Sequence, residues 1–152
     1  MGRERLTVRV SGLAALPRAA RKPALVKAAV ARAFALERSR RAGEVAVVFV
    51  SRSEMKNINR QYLGHDYDTD VVTFEHESVP GVPAAQAPIG DIFISGWMAA
   101  RQAAELGHSV LRETLTLAAH GALHLLGHDD RDPRAKARMF RAQDRILEDL
   151  SA

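Results

Sequence analysis

HGALHLLGHDD, from His120 to Asp130, holds three of the chain's six histidines within nine residues. It closes an apolar run from Val110 to Leu126 in which Leu111, Leu115, Leu117, Ala118, Ala119, Ala122, Leu123 and Leu125 leave almost no polar face. Such a run predicts a central, buried helix, and the other elements have to be arranged around it. His120 and His124 are four apart, so on a helix they stack on one face within reach of a single ion. Gly127 permits a left-handed turn, which would end the helix and fold His128 or Asp130 back toward the pair. Two imidazoles and one further ligand leave a coordination position open, as a catalytic zinc requires. A buried histidine bonded to a core carbonyl is the ordinary explanation for one such residue. Two at this spacing, followed by His and Asp after a glycine, favour a metal.

Working outward, the pattern divides the chain into alternating short elements. Leu6–Val10 alternates apolar and polar residues, as a half-buried edge strand does. Ala24–Leu36 carries Leu25, Ala29, Ala33 and Leu36 on one helical face. The valine-rich run Val45–Val50 reads as a strand buried on both faces. Ser51 and Glu54 have capping-box spacing for a helix with Met55, Ile58 and Tyr62 as its apolar stripe and Gly64 as its stop. Asp70–Glu75 and Ile89–Ser95 read as strands, separated by a Pro-, Gly- and Ala-rich loop from Glu77 to Pro88. A helix follows from Gly96 to Leu106. Ser109 can cap the histidine helix, and Asp132–Pro133 can open a last one. Four strands and five helices use the whole length as one α/β or α+β domain.

Composition narrows the chemistry. The chain has 152 residues, 47% of them hydrophobic, and no cysteine. Thiolate ligands and disulfides are therefore excluded, and any metal is held by nitrogen and oxygen. The absence of cysteine, of an N-terminal signal pattern and of an apolar run of ~18 residues fits a cytoplasmic protein with no membrane partner. A formal charge of +4 favours a polyanionic partner such as nucleic acid.

The third ligand is open between His128 and Asp130. Imidazole is the more usual zinc ligand. But if the helix ran on past Gly127, His120, His124 and His128 would form a row whose ends lie two turns, ~11 Å, apart, too far to close on one ion. Asp130 lies ten residues after His120, the third-ligand spacing of metzincin proteases. Those proteases carry a general-base glutamate directly after the first histidine, where this chain has Gly121. Peptide hydrolysis thus loses its base. Two histidines and a carboxylate also form the iron oxygenase triad, which ranks below zinc here for want of any sign of a co-substrate pocket.

The run HGALHLLGHDD resembles the hallmark H-G-x-L-H-L-x-G-x-D-H of the YbeY endoribonucleases, bacterial metalloproteins of ribosomal RNA maturation. INRQYLGHDYDTDVVTF (Ile58 to Phe74) and IGDIFIS (Ile89 to Ser95) are similar to two further motifs of that family, in the same order. The resemblance implies an α+β fold in one domain over 1–152, with a mixed four-stranded sheet, about five helices and the metal site on a central helix. It implies a zinc-dependent, single-strand-selective endoribonuclease acting in 16S ribosomal RNA 3′-end maturation and ribosome quality control. The implied partners are single-stranded RNA, the small ribosomal subunit and ribosome-associated proteins. The implied ligands of one Zn²⁺ are His120, His124 and the residue at Asp130, where the family has a histidine. Asp130 adds negative charge to the site, His128 stands where an aromatic is common, Leu63 where many members have arginine, and His65 where lysine is frequent.

Contacts to RNA can be read with less definition. Arg134, Arg138, Arg141 and Arg145 form one stripe on the last helix, opposite Met139, Phe140, Ile146, Leu147 and Leu150, and Arg38, Arg40 and Arg41 form a second basic group. Either group equally suits a solvated surface. Aromatics are only 5% of the chain, little material for base stacking. At an open metal position, either water or the RNA 2′-OH can attack phosphorus, and His65, Asp66 and Asp70 are candidates for the cleft border. Asp70 fits equally a structural role at its strand start. A non-catalytic zinc protein of ribosome assembly, and a metal-dependent hydrolase of peptides or small molecules, are the competing functions.

Overall fold

Four strands build one sheet: Leu6–Ser11 (β1), Gly43–Val50 (β2), Val71–Glu75 (β3) and Pro88–Ser95 (β4). The structure, a computed structural model, describes residues 5–39, 41–76, 81 and 87–151, so most of the loop read from Glu77 to Pro88 lies outside the described residues, as does Arg40. The sheet order is β1-β2-β4-β3, with β1, β2 and β4 parallel and β3 antiparallel to β4. Five helices accompany it: Pro23–Leu36 (α1), Arg52–Ile58 (α2), Gly96–Leu106 (α3), Val110–Leu125 (α4) and Pro133–Ser151 (α5). This is the single α+β domain with a mixed sheet that the sequence implies. Two short 3₁₀ turns, Leu13–Ala15 and Arg18–Ala20, were not legible in the pattern.

The helix starts follow their caps. Ser51 Oγ accepts from Glu54 N at 3.2 Å while Glu54 Oε1 accepts from Ser51 N at 2.9 Å, a complete capping box. Ser95, Ser109 and Asp132 accept from the third residue into α3, α4 and α5 at 3.1, 3.0 and 2.8 Å. Each bond satisfies a backbone N–H that has no partner within its helix.

The main core lies between one face of the sheet and α1, α4 and α5. Val45, Val47, Ile92, Ile94, Val26, Ala122, Leu123 and Ile146 are all fully enclosed there. On the other face, Val50, Val72 and Met55 of α2 form a smaller cluster with Val48, Phe74 and Phe93 at its edge. The valine run therefore does bury both faces of β2, but Ala46 and Val48 are only half covered. α4 touches α1, α3, α5, β3 and β4, which makes it the central helix.

One expectation about side-chain direction fails. After Ile58 the helix widens into a π-helical turn over Asn59–Leu63 before Gly64 ends it at φ 69°. The wider turn rotates the next side chains off the α-helical stripe. Met55 stays buried, whereas Tyr62, read as its stripe partner, is exposed.

The ends of the helical layer are tied by an ion pair. Arg32 Nε on α1 donates to Asp149 Oδ2 on α5 at 2.6 Å, and Arg145 approaches the same carboxylate at 3.5 Å. The Arg32 bond holds Asp149 below the ordinary aspartate value near 3.8; desolvation opposes it, and the charges of Arg32 and Arg145 add to the lowering. A depressed carboxylate contributes stability above its unfolded pKa and loses it as pH falls through the folded one. Asp149→Asn should therefore lower the thermal midpoint at pH 7. That gap should begin to narrow as pH falls below about 3.8 and close only below the depressed folded pKa; a gap constant across the acid range would contradict the pairing.

Candidate active site

The cleft beside α4 has a volume of about 390 Å³. Glu113, Thr116, Leu117 and His120 line it from α4 at the i, i+3, i+4, i+7 positions of one helical face. Phe140, Gln143, Asp144 and Leu147 of α5 face them, and Leu106 and His108 close one end. Arg112 of α4 and Asp70, at the start of β3, complete the lining.

His120 and His124 converge. Their Nε2 atoms stand 3.2 Å apart, and the rings meet edge to face at 4.7 Å between centroids. Two nitrogens bound to one tetrahedral zinc at ~2.0–2.1 Å would stand about 3.3–3.4 Å apart, so the pair already has the spacing of two ligands on one ion. The other side of His120 is fixed by the buried Gln143: Nδ1–H donates to Gln143 Oε1 at 3.1 Å. With the proton on Nδ1, the lone pair of Nε2 is left facing His124. Burial, and then the neighbouring His120, push the His124 imidazole below its ordinary value, while the Asp130 and Asp129 carboxylates and a backbone bond at His128 pull the other way. A neutral imidazole is the form that binds a cation. The donor set thus fits a metal at two positions.

The helix ends directly after the pair. Gly127 takes φ 98°, its N–H reaches His124 O at 3.1 Å, and His128 N–H reaches Leu123 O at 3.0 Å. This is the Schellman closure that the glycine permits. It swings His128 out of the histidine row and into a second cleft with Glu37, Asp129 and Arg138, where its Nε2 is hydrogen-bonded to Glu37 Oε1. Asp130 is exposed on the segment beyond the turn. Among the described residues, no three His, Asp or Glu side chains are gathered closely enough to hold an ion.

The remaining candidates separate. Asp70 lines the cleft but is also engaged, accepting from Val71 N at 2.7 Å and from Gln102 Nε2 at 3.2 Å, so it anchors the start of β3 as well. His65 and Asp66 are exposed on the connection ahead of it; His65 packs on Tyr67 and Asp66 pairs with Arg60 at 2.9 Å. Arg134, Arg138, Arg141 and Arg145 are exposed along α5, and Arg38 and Arg41 are exposed after α1. The Glu37–His128 contact brings the α1–β2 connection to the end of α4, and Arg138 lines the cleft beside it.

A family model described as Endoribonuclease YbeY matches residues 17–151. The chain belongs to the YbeY endoribonuclease family. A YbeY endoribonuclease of Elusimicrobium minutum is 41% identical over 127 residues, covering 84% of this chain and 87% of the relative. One from Lysinibacillus sphaericus is 39% identical over 139 residues, covering 86% and 87%. The solution structure of TM1509 from Thermotoga maritima has the same fold, with a TM-score of 0.60, 24% identity and coverage of 96% of this chain and 89% of that one.

Within this YbeY domain the sequence pattern does not single out Gln143, His108 or Glu113. Gln143 carried a signal: it interrupts the apolar face between Met139 and Ile146, and a polar residue there needs a buried partner. Phe140, placed by its spacing on the apolar face of α5 opposite the arginines, is exposed and opens into the cleft. Glu113 is buried with its Oε1 2.8 Å from His108 Nε2, a pair that only the turn between α3 and α4 brings together.

Proposed function

We propose that this family member is a single-strand-selective, metal-dependent endoribonuclease acting on the 3′ end of 16S ribosomal RNA and in ribosome quality control, in the cytoplasm and on the small subunit. The observation that carries the metal reading is the convergence of two imidazole nitrogens at 3.2 Å, with the outer nitrogen of His120 held by Gln143. His120, His124 and Asp130 would hold one Zn²⁺. Asp130 is favoured over His128 because the His128 ring is turned away and engaged with Glu37. Zinc bound there supplies Lewis acidity for cleavage of a phosphodiester. His120 and His124 present neutral nitrogens, Gln143 fixes the tautomer, and the exposed arginines of α5 supply the sequence-independent attraction for the RNA backbone. Among the described residues no helix is long and apolar enough to cross a membrane.

The reading is tested by incubating zinc-loaded protein with single-stranded RNA and with the matching duplex, then measuring the metal content of Asp130→Ala and His128→Ala. Cleavage of the single strand alone, with metal lost from Asp130→Ala and kept by His128→Ala, is the expected result. Uncut RNA would remove the nuclease reading. Metal lost only from His128→Ala would overturn the ligand set.

A further inference from the structure

The large apolar side chains left exposed among the described residues are Tyr62 (67%), Leu63 (43%), Tyr67 (57%), Leu106 (66%) and Phe140 (46%). None is scattered at random. Phe140 and Leu106 line the cleft that holds His120. The other three lie on the segment that runs into Asp70, which lines the same cleft. Tyr67 is three residues from Asp70, so their Cα atoms are within ~11 Å. Tyr62, against Phe74, lies on the other face of the sheet from α4 and α5, so the exposed group runs from the cleft round the β3 edge. An exposed apolar group gathered on one cleft and one segment marks a binding surface.

The segment is also built to hold its rings still. Asn59 is fully buried, and its amide donates to Tyr67 O at 2.8 Å and to Thr69 Oγ1 at 2.6 Å. Arg52 grips Asp68 with two bonds of 3.0 and 2.9 Å. Tyr67 is thus held at its own carbonyl and through the two residues that follow it. His65 lies against its ring at 4.9 Å, and Tyr62 meets the edge of Phe74 at 5.5 Å. Two exposed tyrosines on pinned backbone bind a flat partner at little entropic cost. Of the carboxylates nearby, Asp66 and Asp68 are each paired with an arginine, and Asp70 is bonded to Gln102 and to its own strand.

We propose that Phe140, Tyr67 with His65, and Tyr62 form a nucleobase-stacking track for single-stranded RNA, leading from the cleft out over the π-helical turn. This rests on the nuclease reading above and adds where the bases sit. Paired bases present no free faces to such rings, so the track is a physical source of single-strand preference. The chain's low aromatic content hides this, because what matters is that both tyrosines of the sequence are outside and on this one segment.

The test uses a His120→Ala background and reads binding rather than cleavage. Fluorescence anisotropy is measured with a labelled single-stranded RNA oligonucleotide and with the same backbone made abasic. Tyr67→Ala should weaken binding of the full oligonucleotide by roughly 5- to 100-fold, Tyr67→Phe should bind like the parent, and the abasic strand should be weak and insensitive to either change. Only the backbone of Tyr67 is held by Asn59, so the alanine variant keeps the buttress. Equal binding of the full and abasic strands overturns the track and leaves the patch as a protein-contact surface. Unchanged binding by both Tyr67→Ala and Tyr62→Ala also overturns it, with the nuclease reading intact. Failure of the parent protein, with His120 in place, to bind any RNA overturns both.

Discussion

His120→Ala is expected to lower cleavage of single-stranded RNA by about 10²–10⁴-fold, the equivalent of several kcal/mol of charge stabilisation at the scissile phosphate. His120 supplies one of the two converging nitrogens, and no neighbouring side chain replaces it: His128 has been turned toward Glu37. The ring is only half-buried, at the wall of an open cleft, so its loss leaves a space that solvent fills and Gln143 regains a partner from water. The thermal midpoint should accordingly stay close to that of the parent, which separates a lost ligand from a lost fold. Gln143→Leu should fall between the two. It keeps the volume but removes the acceptor for Nδ1–H, and changes of that kind typically weaken metal affinity about 10- to 100-fold. Cleavage assays and metal analysis on the three proteins, in preparations free of contaminating nuclease, give the ranking directly. A His120→Ala protein that cuts at the parental rate would end the metal mechanism.

Gly121→Glu should fail on stability. The substitution would restore the general-base glutamate of the metzincin pattern, so the sequence alone makes it an inviting route to peptide hydrolysis. The structure gives Gly121 a different reason for being glycine. A Cβ there would stand 2.6 Å from Ile92 Cγ2 and 3.3 Å from its Cδ1 and Cγ1, because α4 rests directly on β4 at this residue. Ile92 is fully buried and branched at Cβ, so it has no free rotamer to move into. Overpacking of this kind costs about 1–3 kcal/mol, and a buried carboxylate without a partner adds several more. The sum is a large share of a domain stability of about 5–15 kcal/mol. Gly121→Ala is the graded control. A gain of about 1 kcal/mol in helix propensity offsets part of its clash, so its net effect should be modest. Urea denaturation of the soluble variants decides the matter. A Gly121→Glu protein as stable as the parent would show that α4 can lift from the sheet.

Much of this architecture is local, and local features were legible. Ser51, Ser109 and Asp132 announce their helices because a cap and its target lie three residues apart. The histidine pair is legible for the same reason, since positions four apart on a helix must share a face. Gly127 is legible because only a left-handed residue closes the helix in that way. What could not be read are features that depend on distant segments or on an irregular turn. Gln143 meets His120 across 23 residues. Glu113 depends on a turn to find His108. Tyr62 counts as an interior residue on any regular 3.6-residue repeat and reaches the surface only because the helix widens at Asn59.

The termination of α4 has one more consequence, electrostatic rather than steric. His124 stands in the last turn of a 16-residue helix. The peptide dipoles along that length point the same way and leave roughly half an elementary negative charge at this end. The Schellman bonds satisfy the carbonyls of Leu123 and His124 but do not cancel the alignment of the dipoles behind them. A cation approaching the two imidazoles is therefore attracted by the main chain itself, and an anion is opposed. The backbone would thus favour a positive guest before the two histidines made any bond to it.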